Sequence, residues 1–325
     1  MAEPALSLID VAVIEPALAT VRDALTQLGI RKIHSFSDPA GVTEALAAQP
    51  PDLIVIDVES PGIDGFRLIR WLRTDAASFN PFVCIIATSW QPTEALLKKV
   101  HNSGADSLLV KPASPKQMQD RLLSLLESRR RFTVSADYIG PDRRKNPRDG
   151  APIPTLDAPN TLRLKTGGHW DKTGARDLIA RGVLWLNEQR VQRDAFQIAF
   201  YVEVARPGLA AAPPDRLALD LILKISALVE DLLKRSAGRI HDPRLETACR
   251  TLLVLVERIR RSPEAGVAAA GITQLQAQSL ELMGVVAPAR PAEAIAQEIA
   301  GAASGYRKRL DQILAARADT AKPAP

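Results

Sequence analysis

Cysteine, histidine and aromatic residues are all scarce in this chain, and each scarcity removes a class of function. The two cysteines, Cys84 and Cys249, stand far apart and neither belongs to a Cys-x-x-Cys pair, which excludes a disulfide framework and a thiolate metal clamp. Cys84 lies inside an apolar run and reads as a small core residue. The four histidines, His34, His101, His169 and His241, fall at no metal-ligand spacing. Aromatics make up 4% of the residues, so alanine and leucine must fill the interior, a composition that leans helical. The four tryptophans, Trp71, Trp90, Trp170 and Trp185, read as packing residues or linker anchors. No apolar stretch approaches the length of a membrane span, and the N-terminus lacks the layout of a secretory signal, so a cytoplasmic protein without membrane contact is expected. There is no glycine loop of the Walker type, and no helix-turn-helix, nucleotide-cyclase or ATPase motif.

What is present falls into two patterns. At 325 residues two domains are the natural expectation, and a hydrophobic content of 46% supplies sizeable cores. The net charge of +5 comes from an excess of arginine, which solvated helix faces explain as readily as an acidic partner. From Ile9 to about Arg130, short apolar runs alternate with segments of helical period. Strands are predicted at Val11–Ile14, Lys32–Phe36, Leu53–Ile56, Val83–Ala87 and Leu108–Val110. Helices separate them, and a last helix, Pro115–Ser128, places Met118, Leu122, Leu125 and Leu126 on one face. This alternation predicts a doubly wound α/β fold, a five-stranded parallel sheet covered on both faces.

Three polar residues follow the ends of these strands. Asp57 ends the third run, Thr88 ends the fourth and Lys111 follows the fifth. A carboxylate, a hydroxyl and an ammonium would thus converge at the C-terminal edge of the sheet, where open α/β sheets bind ligands. Lysine and hydroxyl suit an anionic group beside a carboxylate nucleophile, which points to a phosphorylatable switch. Taken singly, each residue has a plainer reading. A strand-end aspartate caps a turn, Thr88 caps the helix after it, and Glu15 serves a helix dipole.

The same residues carry a family likeness. Asp57-x-x-x-Pro61-Gly62-x-Asp64-Gly65, Thr88-Ser89 and Lys111-Pro112 together resemble the receiver domain of bacterial two-component response regulators, over roughly the first 130 residues. The resemblance implies a flavodoxin-like receiver that accepts a phosphoryl group on Asp57 from a histidine kinase or phosphotransfer protein. It implies that Lys111 and Thr88 bind phosphoryl oxygens, and that Mg²⁺ is held by Glu15, Asp57 and the backbone carbonyl of Glu59. It also implies a cis Lys111-Pro112 peptide, and no enzyme activity beyond self-catalysed transfer onto Asp57 and its hydrolysis. Two positions depart from the family pattern. Its paired acids after the first strand are here Glu15-Pro16, with Asp10 five residues too early to substitute, and its aromatic on the last strand is here Leu108. These departures predict weaker Mg²⁺ binding and an altered output switch. They leave open a second reading, a phosphorylation-independent receiver acting as an interaction scaffold.

Residues 131–173 are dense in Pro, Gly, Asp and Arg, include Gly140-Pro141-Asp142-Arg143-Arg144, and keep no period, so they read as a basic linker. Its arginines are either solvated or folded back onto the receiver. With only Phe132 and Tyr138 nearby for stacking, the segment argues against nucleic-acid binding. Residues 174–317 are read as an all-α helical bundle of unknown output, and 318–325 as a disordered tail. Leu221, Ile222, Ile225, Leu228, Val229 and Leu232 follow the helical period, and an opening helix over about 175–204 is expected to break near Gly182. His241 precedes Asp242-Pro243, which reads as a helix start, whereas a phosphotransfer histidine belongs mid-helix. An unidentified protein partner of the bundle is expected, and a homodimer remains open.

Overall fold

The computed structural model describes residues 5–15, 20–37, 41–75, 80–135, 138–144, 153–237, 242–263 and 265–320. The chain divides into two compact units, Met1–Leu186 and Asn187–Pro325.

In the first unit, strands β1 (Asp10–Ile14), β2 (Lys32–Phe36), β3 (Leu53–Asp57), β4 (Cys84–Ser89) and β5 (Ser107–Val110) form one parallel sheet in the order β2-β1-β3-β4-β5. This is the doubly wound order expected from the alternating pattern, with its switch point between β1 and β3. Helices α1 (Thr20–Gln27), α2 (Val42–Ala48), α3 (Gly65–Thr74), α4 (Glu94–Ser103) and α5 (Pro115–Glu127) alternate with the strands. Successive strand residues serve opposite faces. Val11, Val13, Leu53, Val55, Cys84, Ile86 and Leu109 pack in a core with residues of α1 and α5. Ala12, Ile14, Ile54, Ile56, Ile85 and Ala87 pack in another with residues of α2, α3 and α4. Burial on both faces is why these strands read as unbroken aliphatic runs.

The expected linker over 131–173 is instead folded where it is described. Strands β6 (Phe132–Val134), β7 (Ile139–Pro141) and β8 (Thr155–Leu156) form an antiparallel sheet in the order β7-β6-β8, followed by α6 (Thr161–Thr166). Strands of two or three residues are too short to show a period, which is why the segment read as irregular. Of its described arginines, Arg143 folds back onto the sheet, whereas the Arg131 side chain is largely exposed. Arg143 donates to the carbonyls of Ala105 and Asp106 at 2.5 and 3.0 Å. Where β7 passes the end of α4, Gly104 has φ +94°, and a Cβ there would stand 2.7 Å from the Ile139 carbonyl oxygen.

A buried charge cluster fixes this extension to the N-terminal edge of the parallel sheet. Asp106 accepts from Arg73 Nη2 at 2.9 Å and Arg129 Nε at 2.8 Å. Arg73 also donates to the carbonyls of Gly104, Pro81 and Val83 at 2.9, 2.6 and 2.8 Å. The Phe132 ring lies 5.1 and 4.9 Å from the Arg73 and Arg129 guanidinium centres. Burial alone would raise the Asp106 carboxyl, but Arg129 and Arg73 more than offset it and hold it below its usual value. At the same edge Lys165 of α6 donates to Asp10 at 2.6 Å and Asp52 at 2.7 Å.

The second unit is helical. Helix α7 (Lys172–Leu209) is continuous through Gly182, contrary to the expected break, and the boundary between the units falls within it. Gly182 is needed for close approach, since a Cβ there would lie 2.6 Å from the Phe82 ring. Helices α8 (Arg216–Leu223), α9 (Ile225–Ser236), α10 (Pro243–Arg261), α11 (Ala265–Val286) and α12 (Ala292–Thr320) follow, and their apolar faces share one core. As the sequence predicts, Asp242 caps α10 by accepting from the Arg244 backbone N–H, and Pro243 takes the first position. His241 and Pro16 lie outside the described residues, as do residues 321–325 of the expected tail, while α12 runs to Thr320. Among the described residues no helix is long and apolar enough to cross a membrane.

Replacing Asp106 by Asn is expected to leave two buried guanidinium groups without a carboxylate and to destabilise the first unit by about 3–5 kcal/mol. Urea unfolding followed by tryptophan fluorescence measures this as a lowered midpoint.

Candidate functional site

The strand-end residues singled out from the sequence meet at the C-terminal edge of the sheet. Glu15 follows β1, and its backbone N–H donates to the Phe36 carbonyl at 3.0 Å, which extends the β1–β2 ladder to the edge. Asp57 closes β3 and stands opposite Thr88 in the β3–β4 register. Lys111 follows β5, with its backbone N–H on the Ser89 carbonyl at 2.8 Å and a cis bond to Pro112. All four side chains belong to buried residues.

Lys111 Nζ lies 2.7 Å from Asp57 Oδ2 and 3.0 Å from Glu15 Oε1, so one ammonium bridges both carboxylates. The other Asp57 oxygen, Oδ1, accepts the Glu59 backbone N–H at 2.9 Å. Glu15 Oε2 is buried and has no hydrogen-bond partner. Burial pushes the Glu15 carboxyl up, against the pull of Lys111, with Asp57 adding to the rise. Asp10 is at the opposite edge of the sheet, paired with Lys165, and takes no part.

Two contacts at this edge have no counterpart in the sequence reading. The Glu59 carboxylate accepts from Ser89 Oγ at 2.6 Å and from the Trp90 backbone N–H at 3.0 Å, tying the loop after β3 to the loop after β4. The Ser89 bond, aided by backbone donors, holds the Glu59 carboxyl below its usual value. Trp90 is 45% exposed, and its ring lies 4.9 Å from Lys111 Nζ. It is therefore neither a packing residue nor a linker anchor but a cover on the lysine. Its place two residues after Thr88 was visible, but no spacing rule gives the direction of an indole on a loop. Leu108 pairs with Ala87 and packs, half-buried, on the core beside α4.

A hard cation with oxygen ligands fits this donor set. Glu15 offers an unpartnered buried oxygen and Asp57 a second carboxylate, the one or two carboxylates that Mg²⁺ ordinarily takes from protein. Among the described residues no group of three His, Cys, Asp or Glu could hold a metal, so the remaining positions fall to water, carbonyl or phosphoryl oxygens.

Comparison with known proteins identifies the family of the first unit. Residues 15–123 match the response regulator receiver domain family. A probable chemotaxis protein CheY of Rhizobium etli is 30% identical over 97 residues, covering 30% of this chain and 74% of that protein. The chain belongs to the response regulator receiver family. The transcriptional regulatory protein GltR of Pseudomonas aeruginosa is 32% identical over 103 residues, but the chain spans only 41% of its length. Among solved structures, the receiver domain of the Pseudomonas aeruginosa sensor histidine kinase PA1611, crystallised with a magnesium ion in its active-site cleft, is 22% identical with a TM-score of 0.31, covering 36% of this chain and 94% of that one. Receiver domains are signalling modules of two-component phosphorelays, interact with histidine kinases or phosphotransfer proteins, and bind Mg²⁺ in their active site. The helical unit is not assigned to a family.

Replacing Glu15 by Gln is expected to weaken Mg²⁺ binding to the receiver at least about tenfold, or ~1.4 kcal/mol, because it removes one of two anionic donors. Titration of Mg²⁺ against Trp90 fluorescence, with the other three tryptophans replaced by Phe, measures the change.

Proposed function

We propose that Asp57 is the phosphoacceptor of this receiver, that Lys111 and Thr88 bind the phosphoryl group, and that Glu15, Asp57 and the Glu59 carbonyl hold Mg²⁺. The observation that carries this reading is the Lys111 ammonium seated between Asp57 and Glu15, with Thr88 opposite Asp57 on the adjacent strand. A carboxylate oxygen of Asp57 attacks the phosphorus of a phosphohistidine. The P–O bond of an acyl phosphate forms, the P–N bond breaks, and the imidazole leaves. Bound Mg²⁺ supplies charge neutralisation for the phosphoryl oxygens.

The chain's own groups do the positioning. The Glu59 backbone N–H holds Asp57 Oδ1, which leaves Oδ2 on the side of Lys111. Once phosphorylated, Asp57 Oδ2 no longer carries the full charge that Lys111 pairs with, and the ammonium moves to a phosphoryl oxygen. Trp90, seated over that ammonium, registers the transfer. The output passes to the helical unit or to a protein that binds it.

Intact-mass analysis after incubation with acetyl phosphate and Mg²⁺ tests the assignment. The expected result is one Mg²⁺-dependent phosphoryl adduct, absent from Asp57→Asn and accompanied in the wild type by a change in Trp90 fluorescence. An adduct that persists in Asp57→Asn, or none from either acetyl phosphate or the cognate kinase, overturns it.

A further inference from the structure

Inside the second unit, α7 and α9 enclose a charged cluster that phosphoryl chemistry does not use. Asn187, Arg190 and Asp194 follow one another at helical spacing on α7, and Asp231 and Arg235 do so on α9. Arg235 Nε donates to Asp231 Oδ2 at 2.8 Å, and its Nη1 donates to Asn187 Oδ1 at 3.1 Å. Arg190 Nε lies 3.2 Å from Asp194 Oδ1 and donates to Asp231 Oδ2 at 3.3 Å. Asp194 is 0% exposed, and neither of its carboxyl oxygens receives a hydrogen bond. An ionised carboxylate in that position has the Arg190 charge beside it but no hydrogen bond, and is costly to bury. A carboxylic acid is not, because its own O–H can donate to a neighbouring carboxylate.

We propose that Asp194 and Asp231 share one proton across the α7–α9 packing, and that losing this proton loosens the helix pair. The charged groups facing Asp194 are Arg190 from its own helix and Asp231 and Arg235 from α9. Burial, helped by Asp231, lifts the Asp194 carboxyl to about 7, against the opposing pull of Arg190 and Arg235. Burial also works to raise Asp231, but Arg235 and Arg190 hold it below its usual value, so it is the acceptor of the pair. The sign follows from linkage. Unfolded, Asp194 releases its proton near the ordinary carboxylate value of about 4. Folded, it keeps the proton up to about 7. Its contribution to stability is therefore complete below the first value, falls as pH rises between the two, and is gone above the second.

Carboxyl NMR of the full chain labelled with ¹³Cγ-aspartate tests the shared proton directly. One resonance is expected to titrate near 7 and to vanish in Asp194→Asn. In Asp231→Asn the acceptor of the shared proton is gone while the burial of Asp194 remains, so the near-neutral step is expected to move down in pH. Calorimetry gives the consequence: between about pH 5 and about pH 8 the helical transition of the wild type should fall by several degrees relative to Asp194→Asn. The proposal is overturned if every aspartate of the wild type titrates around 4, if the near-neutral step survives in Asp194→Asn, or if the two unfolding curves stay parallel with pH. Should Asp194→Asn fail to fold, a near-neutral step that stays unmoved in Asp231→Asn overturns it equally.

Discussion

One ammonium facing two buried carboxylates governs the first unit's chemistry. Lys111 satisfies Asp57 and one oxygen of Glu15, and the second Glu15 oxygen is left without a partner. Such a pocket is short of positive charge, so a cation is favoured there before any phosphoryl donor arrives. In the function proposed above, an incoming phosphoryl group brings anionic oxygens to a lysine that is already in place. The parallel sheet supplies the constraint that makes this work, because it delivers Glu15, Asp57 and Lys111 to one edge from three strands of a single sheet.

The two edges of that sheet are balanced differently. At the N-terminal edge Asp106 has two guanidinium partners, and Lys165 serves both Asp10 and Asp52. Charges there are paired, and they bind Arg129 and α6 to the sheet. At the C-terminal edge charges are matched incompletely.

The sheet and the polar residues at its C-terminal edge were legible in the sequence because continuous aliphatic runs ending in polar residues are direct consequences of burial on both faces. Asp57, Thr88 and Lys111 could be placed from strand ends alone, and Asp242-Pro243 announced the start of α10 by cap chemistry. The folded extension was not legible. It depends on Arg73, Arg129 and Phe132 meeting Asp106 across long stretches of sequence, and nothing in a local window distinguishes a buried arginine from a solvated one. The Glu59 bridge and the Trp90 cover were missed for the same reason, since each joins two loops that come together only after the sheet has formed. Gly182 was misread as a helix break, although its purpose is to let α7 approach Phe82.

The division of the chain at Leu186 has an optical consequence. Trp71, Trp90, Trp170 and Trp185 all belong to the first unit, and the sequence from Asn187 onward contains no tryptophan. Indole emission thus belongs entirely to one half of the molecule, while helical ellipticity comes largely from the other. The protein is born with two separate reporters, and the relative order in which its halves melt is written in the difference between two ordinary spectra.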